Sequence, residues 1–178
     1  MPWIDMINEN EAEGELADIY SQITEPWGGV DNIMKIHSLN IESLKAHMIL
    51  YKETMYGKSP ITRIEREMIA VVSSVANKCE YWVIHHGKGL FRLTKDEALV
   101  EQLKTDYKKA TLTKKQRAML DYSYKLTLYP WDMDKSDVKK LQKTGFSDRE
   151  ILDINLVVSY YAYVNRLADG LGVELENI

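Results

Sequence analysis

The stretch Thr62-Arg63-Ile64-Glu65-Arg66-Glu67-Met68-Ile69-Ala70-Val71-Val72-Ser73-Ser74-Val75-Ala76-Asn77-Lys78-Cys79-Glu80-Tyr81-Trp82-Val83-Ile84-His85-His86 decides the fold of this chain. Thr62 with Glu65 reads as a capping box, in which each side chain satisfies an orphan amide of the other's turn. Ile64, Met68, Val71 and Val75 then recur at helical spacing and mark a buried face. Asn77-Lys78 reads as a short break, and a second helix follows with Cys79 in or next to its first turn. The chemistry-bearing side chains of this helix–break–helix unit form a ladder: Glu67, Cys79, Trp82 and His86.

Helix geometry sorts the ladder. Cys79, Val83, His86 and Leu90 fall close to one stripe of the second helix, with Trp82 on its flank. Cys79 and His86 lie seven positions apart, so at about 1.5 Å per residue roughly 10 Å of helix axis separates them. The position that faces His86 is four residues earlier, and it carries Trp82. The amides and positive dipole end of the first turn favour a thiolate at Cys79, while the neighbouring Glu80 opposes one. Glu67 lies at the edge of the apolar stripe of the first helix. It is either partly desolvated and paired with His86, or an exposed carboxylate close to Arg63 and Arg66.

Working outward, helix signals dominate. Further capping boxes are read at Thr94/Glu97, Thr113/Gln116 and Ser147/Glu150, with Phe146 and Ile151 as a hydrophobic staple around the last. Gly57 and Gly145 stand where helices stop. The pattern predicts helices over about 12–23, 31–56 (one helix or a pair), 62–76, 79–92, 95–106, 113–128, 134–144 and 147–170. No period-2 strand and no Asn-Gly or Asp-Gly hairpin is found. The expected class is all-α, in a single domain over 1–178. Residues 1–30 form an N-terminal helix and loop appendage, and 31–178 form the core. In the last helix Val157, Tyr160, Tyr161, Val164, Leu167 and Leu171 spread apolar surface over more than one face, as in a central core helix or one that meets a second subunit.

Composition narrows the function. The chain has 178 residues, 45% of them hydrophobic, and 27 acidic against 23 basic side chains give a net charge of −4. This argues against nucleic acid or an anionic membrane as the partner. No apolar run reaches the roughly 18 residues of a membrane span. The N-terminus lacks the charge and apolar pattern of a signal peptide. One cysteine excludes an intramolecular disulfide, and a reducing, cytoplasmic setting is the natural reading.

With these residues in hand, the chain resembles the AhpD-like alkylhydroperoxidases of the carboxymuconolactone decarboxylase superfamily. Their motif is Glu, twelve positions to Cys, three to a second Cys, and four to His. The stretches Phe146-Ser147-Asp148-Arg149-Glu150-Ile151-Leu152-Asp153 and Tyr163-Val164-Asn165-Arg166-Leu167-Ala168-Asp169-Gly170-Leu171-Gly172-Val173 are similar to the peroxidase-related branch, and the likeness runs from about residue 10 onward. The resemblance implies an AhpD-like helical bundle that assembles as a homo-oligomer (dimer, trimer or hexamer). It also implies an antioxidant oxidoreductase of peroxiredoxin type. One cysteine attacks a hydroperoxide, the second resolves the sulfenic acid, and Glu and His relay protons.

Carried over, Glu67 matches the relay Glu, Cys79 the first Cys and His86 the relay His. The second, His-facing Cys is Trp82, and Tyr81 stands where the best-known member has His. The two-cysteine cycle cannot run here. What remains is one-cysteine chemistry at Cys79 with an external thiol reductant. The alternatives are acid/base chemistry on a small organic acid or lactone by Glu67 and His86, with Tyr81, Trp82 and His85 shaping the substrate pocket, or a non-catalytic oligomer with a decayed site. No cofactor is implied. Glu67, Cys79, His86 and His85 lack the ligand spacing of a zinc site, so no metal is expected. His37 and His47 read as isolated residues on amphipathic helical stretches. Trp3, Trp27 and Trp131 read as seals at core edges, and Asn165 and Arg166 as polar residues bonding either the ladder or a subunit contact.

Overall fold

The structure, a computed structural model, describes residues 2–176. Among the described residues there is no strand. Nine α-helices follow one another: α1 (Gly14–Gln22), α2 (Asn32–Lys35), α3 (Ile41–Tyr56), α4 (Arg63–Asn77), α5 (Glu80–Thr94), α6 (Glu97–Asp106), α7 (Lys114–Leu128), α8 (Lys135–Lys143) and α9 (Asp148–Leu171). Short 3-10 turns cover Tyr107–Lys109 and Pro130–Asp132. No helix among the described residues is long and apolar enough to cross a membrane.

The chain divides into two compact units, Met1–Leu50 with Arg166–Ile178, and Tyr51–Asn165. In the first unit Leu16, Ile19, Tyr20, Val30 and Leu44 form an apolar cluster. The Tyr20 hydroxyl donates to the Ile7 carbonyl, and the Ile7 amide donates to Ser38 Oγ. In the second unit α4 supplies the centre, with Met68, Ile69, Ala70, Val71 and Val72 all buried.

The start of α4 is set locally. Thr62 Oγ1 accepts from the Glu65 amide and Glu65 reaches back to the Thr62 amide, the expected capping box. The boxes at Thr113/Gln116 and Ser147/Glu150 also form. The box expected at Thr94 does not. Thr94 stays inside α5 with its hydroxyl on the Leu90 carbonyl, Lys95 turns left-handed, and Asp96 caps α6 by accepting from the Leu99 amide. A carboxylate box at Asp134/Asp137 opens α8 instead. The 31–56 segment is a pair, since residues 36–40 form a turn between α2 and α3.

The tryptophans expected at core edges are elsewhere. Trp3 and Trp131 are 73% and 79% exposed. Trp3 lies against Gly172 and Trp27 against Gly29, where the missing Cβ leaves room for an indole. Trp131 meets Tyr129 edge-on.

Candidate functional site

The ladder is assembled by the α4–α5 turn. Lys78 adopts φ 62°, and the Cys79 amide donates to the Ser74 carbonyl, closing a Schellman-type reversal. Cys79 is the N-cap of α5 but its side chain makes no cap bond. Its sulfur is fully buried and lies 3.9 Å from the Asn165 carbonyl oxygen of α9. Asn165 bonds the ladder: its Oδ1 accepts from Ser74 Oγ at 3.3 Å, while its Nδ2 finds no partner among the described residues.

One turn along, the Trp82 indole stacks on the His86 imidazole, with centroids 5.1 Å apart and planes 20° apart. Its Nε1 donates to the Val164 carbonyl at 3.1 Å, so the ring is held at both ends. Trp82 therefore fills the place facing His86 that helix geometry assigned to it. Tyr81 stacks on His85 at 4.4 Å and meets Trp82 edge-on.

Glu67 is not at an exposed margin. It is buried, with Oε1 2.6 Å from Arg63 Nη2 and Oε2 2.5 Å from His86 Nδ1. His86 Nε2 lies 2.7 Å from the Tyr161 hydroxyl, which also reaches Met55 Sδ at 3.5 Å. The result is a continuous line, Arg63–Glu67–His86–Tyr161, half-buried at Arg63 and buried from Glu67 onward. Glu67, already ion-paired with Arg63, is an acceptor, so Nδ1 of His86 carries a proton. In the tautomer with its proton on Nδ1, Nε2 is left to accept from the phenol. Burial, reinforced by the Glu67 charge, pushes the Tyr161 phenol well above the ordinary tyrosine range, so it keeps its proton to donate. Both imidazole nitrogens are thus taken, one by a carboxylate and the other by a phenol.

Three members of this site were not joined to Glu67 and His86 by the sequence reading, although Arg63 and Tyr161 were named in it. Arg63 sits one turn before Glu67, a spacing at which opposite charges meet. A Cβ on Gly89 would fall 3.2 Å from Glu67 Oε1, so that glycine makes room for the carboxylate; a glycine inside a helix was its only sign. Tyr161, 75 positions from His86, read as a residue that packs in the last helix or lines the pocket or a subunit contact, with nothing to link it to His86. A cavity of about 260 Å³ in the first unit, among Pro2, Met6, Trp27, Asn32 and Lys35, is lined by no member of the relay.

Comparison with known proteins agrees with this architecture. Residues 42–103 match the Carboxymuconolactone decarboxylase family. An uncharacterised peroxidase-related protein from Silicibacter sp. TM1040 is 33% identical with a TM-score of 0.91, over 99% of this chain and 92% of its own. A second peroxidase-related protein with an alkylhydroperoxidase AhpD core, from Ralstonia eutropha JMP134, is 25% identical at TM-score 0.90, over 99% and 93%. The debrominase Bmp8 in complex with 2,3,4-tribromopyrrole shares the fold, at 16% identity and TM-score 0.82 over 99% and 95%. No functionally curated protein matches the sequence. The helical order, the Glu67–His86 pair and the full-length likeness converge: this chain belongs to the carboxymuconolactone decarboxylase, AhpD-like family.

Proposed function

We propose that this protein is a peroxidase-related reductase of hydroperoxides in which a slow, one-cysteine reaction at Cys79 stands in for the two-cysteine cycle. One observation carries the reading: an indole, not a thiol, is stacked on His86 at the position that faces it. In the reaction, the Cys79 thiolate attacks the terminal oxygen of the hydroperoxide. The S–O bond forms as the O–O bond breaks, and the departing alkoxide takes a proton from water to leave as the alcohol. The resulting sulfenic acid is attacked by an external thiol, releasing water and a mixed disulfide, and a second thiol frees Cys79. The step is slow because the sulfur is buried against the Asn165 carbonyl, about two helical turns from His86.

The test is turnover of an organic hydroperoxide with a dithiol reductant, parent against Trp82→Cys. The variant places a thiol one helical turn from His86 and three residues from Cys79. Recovering a positioned general base is expected to raise the rate about 10²-fold or more. Cys79→Ala is expected to remove the parent's residual turnover. A parent as fast as the variant, or unaffected by loss of Cys79, overturns the proposal.

A second reading is favoured by the intact relay itself. Glu67, His86 and Tyr161 form an acid/base line without any sulfur, fit for proton transfer on a small organic acid or lactone beside Tyr81, Trp82 and His85. Turnover of a panel of such substrates that is lost in His86→Ala would establish it. In either reading we take the protein to be a homo-oligomer. Leu152, Leu156 and Tyr163 are exposed and fall on one face of α9, and light scattering measures the mass directly.

A further inference from the structure

The second unit contains a file of aromatic rings that the thiol chemistry does not use. Trp82 meets Tyr161 with centroids 5.9 Å apart, Tyr161 meets Tyr160 at 5.2 Å, and Tyr160 stacks on Tyr51 at 5.8 Å. Tyr51 meets Tyr56 at 5.6 Å, and the two hydroxyls are 3.4 Å apart. From Tyr160 a branch leads to Tyr163 at 6.5 Å. Trp82, Tyr161 and Tyr160 are buried and Tyr51 is half-buried, whereas Tyr56 and Tyr163 are 60% and 41% exposed. The file therefore runs from the imidazole of His86 to two surface phenols. Arg63 lies 4.1 Å over the Tyr56 ring and opposes positive charge there, which leaves Tyr163 as the less hindered exit.

A tyrosine that loses an electron becomes a strong acid, and in a dry interior it can do so only with a proton acceptor already in place. Tyr161 has one: His86 Nε2 at 2.7 Å, whose other nitrogen is hydrogen-bonded to the buried carboxylate of Glu67. The imidazolium formed by that transfer is neutralised where it arises.

We propose that Tyr161 is a redox-active tyrosine, oxidised by one electron through the ring file while its phenolic proton moves to His86 Nε2. The oxidant is an alkoxyl or peroxyl radical, the one-electron product of a hydroperoxide, meeting the surface rings. The electron passes from Tyr161 through Tyr160 to Tyr163 or to Tyr51 and Tyr56, and on to the oxidant. The reduced oxidant takes a proton from water and leaves as an alcohol or hydroperoxide. Tyr161 is left as a neutral phenoxyl radical beside a protonated His86. An external thiol returns the electron, and His86 returns the proton. This needs no cysteine in the chain and stands whether or not Cys79 reacts.

The experiment is flash oxidation of the whole protein by photogenerated ruthenium(III) tris-bipyridine, read by transient absorption and by electron paramagnetic resonance after freezing. The parent is expected to give a long-lived tyrosyl radical whose formation slows in heavy water. Tyr161→Phe is expected to lose the long-lived signal while keeping its helical circular dichroism. The double variant Tyr56→Phe/Tyr163→Phe alters only exposed hydroxyls, and it is expected to slow formation of the buried radical. A parent with no tyrosyl signal, or the same signal in folded Tyr161→Phe, overturns the proposal. Formation at one rate in light and heavy water overturns the proton transfer to His86, and an unslowed double variant overturns the surface route.

Discussion

Buried histidines occur in both units of this chain, and they are wired in opposite ways. In the second unit, His86 joins a base to an acid: Glu67 on one nitrogen, backed by Arg63, and the Tyr161 phenol on the other. In the first unit, His37 and His47 join base to base. His47 Nδ1 and His37 Nε2 share one hydrogen bond of 2.8 Å, and His37 Nδ1 meets Ser43 Oγ at 3.1 Å. That bond needs one nitrogen to donate and the other to accept, so it cannot hold when both rings are protonated. Burial, with the positive charge of His37 second, holds His47 down to about 3, and burial lowers His37 as well. The difference teaches that a buried imidazole facing another imidazole is pushed toward its neutral form. His86 instead has the Glu67 carboxylate buried beside it as a counter-charge.

The largest effect should come from removing that counter-charge. Glu67→Leu leaves His86 without its acceptor and Arg63 without its carboxylate inside the second unit. Breaking a buried pair from one side costs about 3–5 kcal/mol, read as a fall in urea-unfolding free energy. A loss under about 1 kcal/mol, the range of exposed pairs, would mean that the line is not a dry network and would erase the contrast with His37 and His47.

The neutral pair makes its own prediction, with the sign fixed by linkage. Unfolded His47 binds a proton near its ordinary 6.5, whereas folded His47 does so only near 3. Between these values the unfolded state holds more protons, so stability drains away as pH falls through the window, by up to about 1.4 kcal/mol per pH unit. Unfolding free energies of parent and His47→Gln between pH 7 and pH 4 should diverge in slope, with the variant flatter. Equal slopes would show that this pair is already charged in the folded protein.

A smaller effect separates the two functions of Trp82. Trp82→Phe retains a ring to stack on His86 but removes the indole N–H that donates to the Val164 carbonyl. The expected loss is about 1 kcal/mol, one net hydrogen bond, with no gain in hydroperoxide turnover. A rise in turnover on this substitution would mean that the indole's bulk, and not the missing thiol, is what restrains the site.

How far the sequence discloses these two regions follows from the range of the contacts that build them. The helix starts at Thr62, Thr113 and Ser147 are local, each box closing within three residues, so they are legible. The stacking of Trp82 on His86 follows from a four-residue helical spacing, and the family motif points to Glu67. Thr94 misled because a threonine followed three residues later by Glu97 also fits inside a helix whose true successor begins at Asp96. His37 and His47 looked isolated because a continuous helix would turn them to different sides. The turn at residues 36–40 breaks that phase and brings their rings to 4.7 Å. Tyr161 reaches His86 across 75 positions of chain, and no local pattern encodes such a contact.

The weakest test calibrates those at Glu67 and His47. Lys115 lies 2.6 Å from Glu150, and its ammonium also sits 4.3 Å over the Phe146 ring. Glu150 is held down to about 2, first by Lys115 and then by the Ser147 amide of its capping box. A carboxyl lowered in the folded state contributes stability above its unfolded value of 4.5, and loses it as pH falls toward 2. The Lys115 side chain is more than one-third exposed, so solvent screens the pair, and Lys115→Met should cost well under about 1 kcal/mol at pH 7. Its loss should shrink below pH 4.5 and vanish only near pH 2, below the window in which the His37–His47 pair drains stability. A Lys115→Met cost as large as that of Glu67→Leu would mean that surface and interior pairs count alike here, and that burial does not set the His86 line apart.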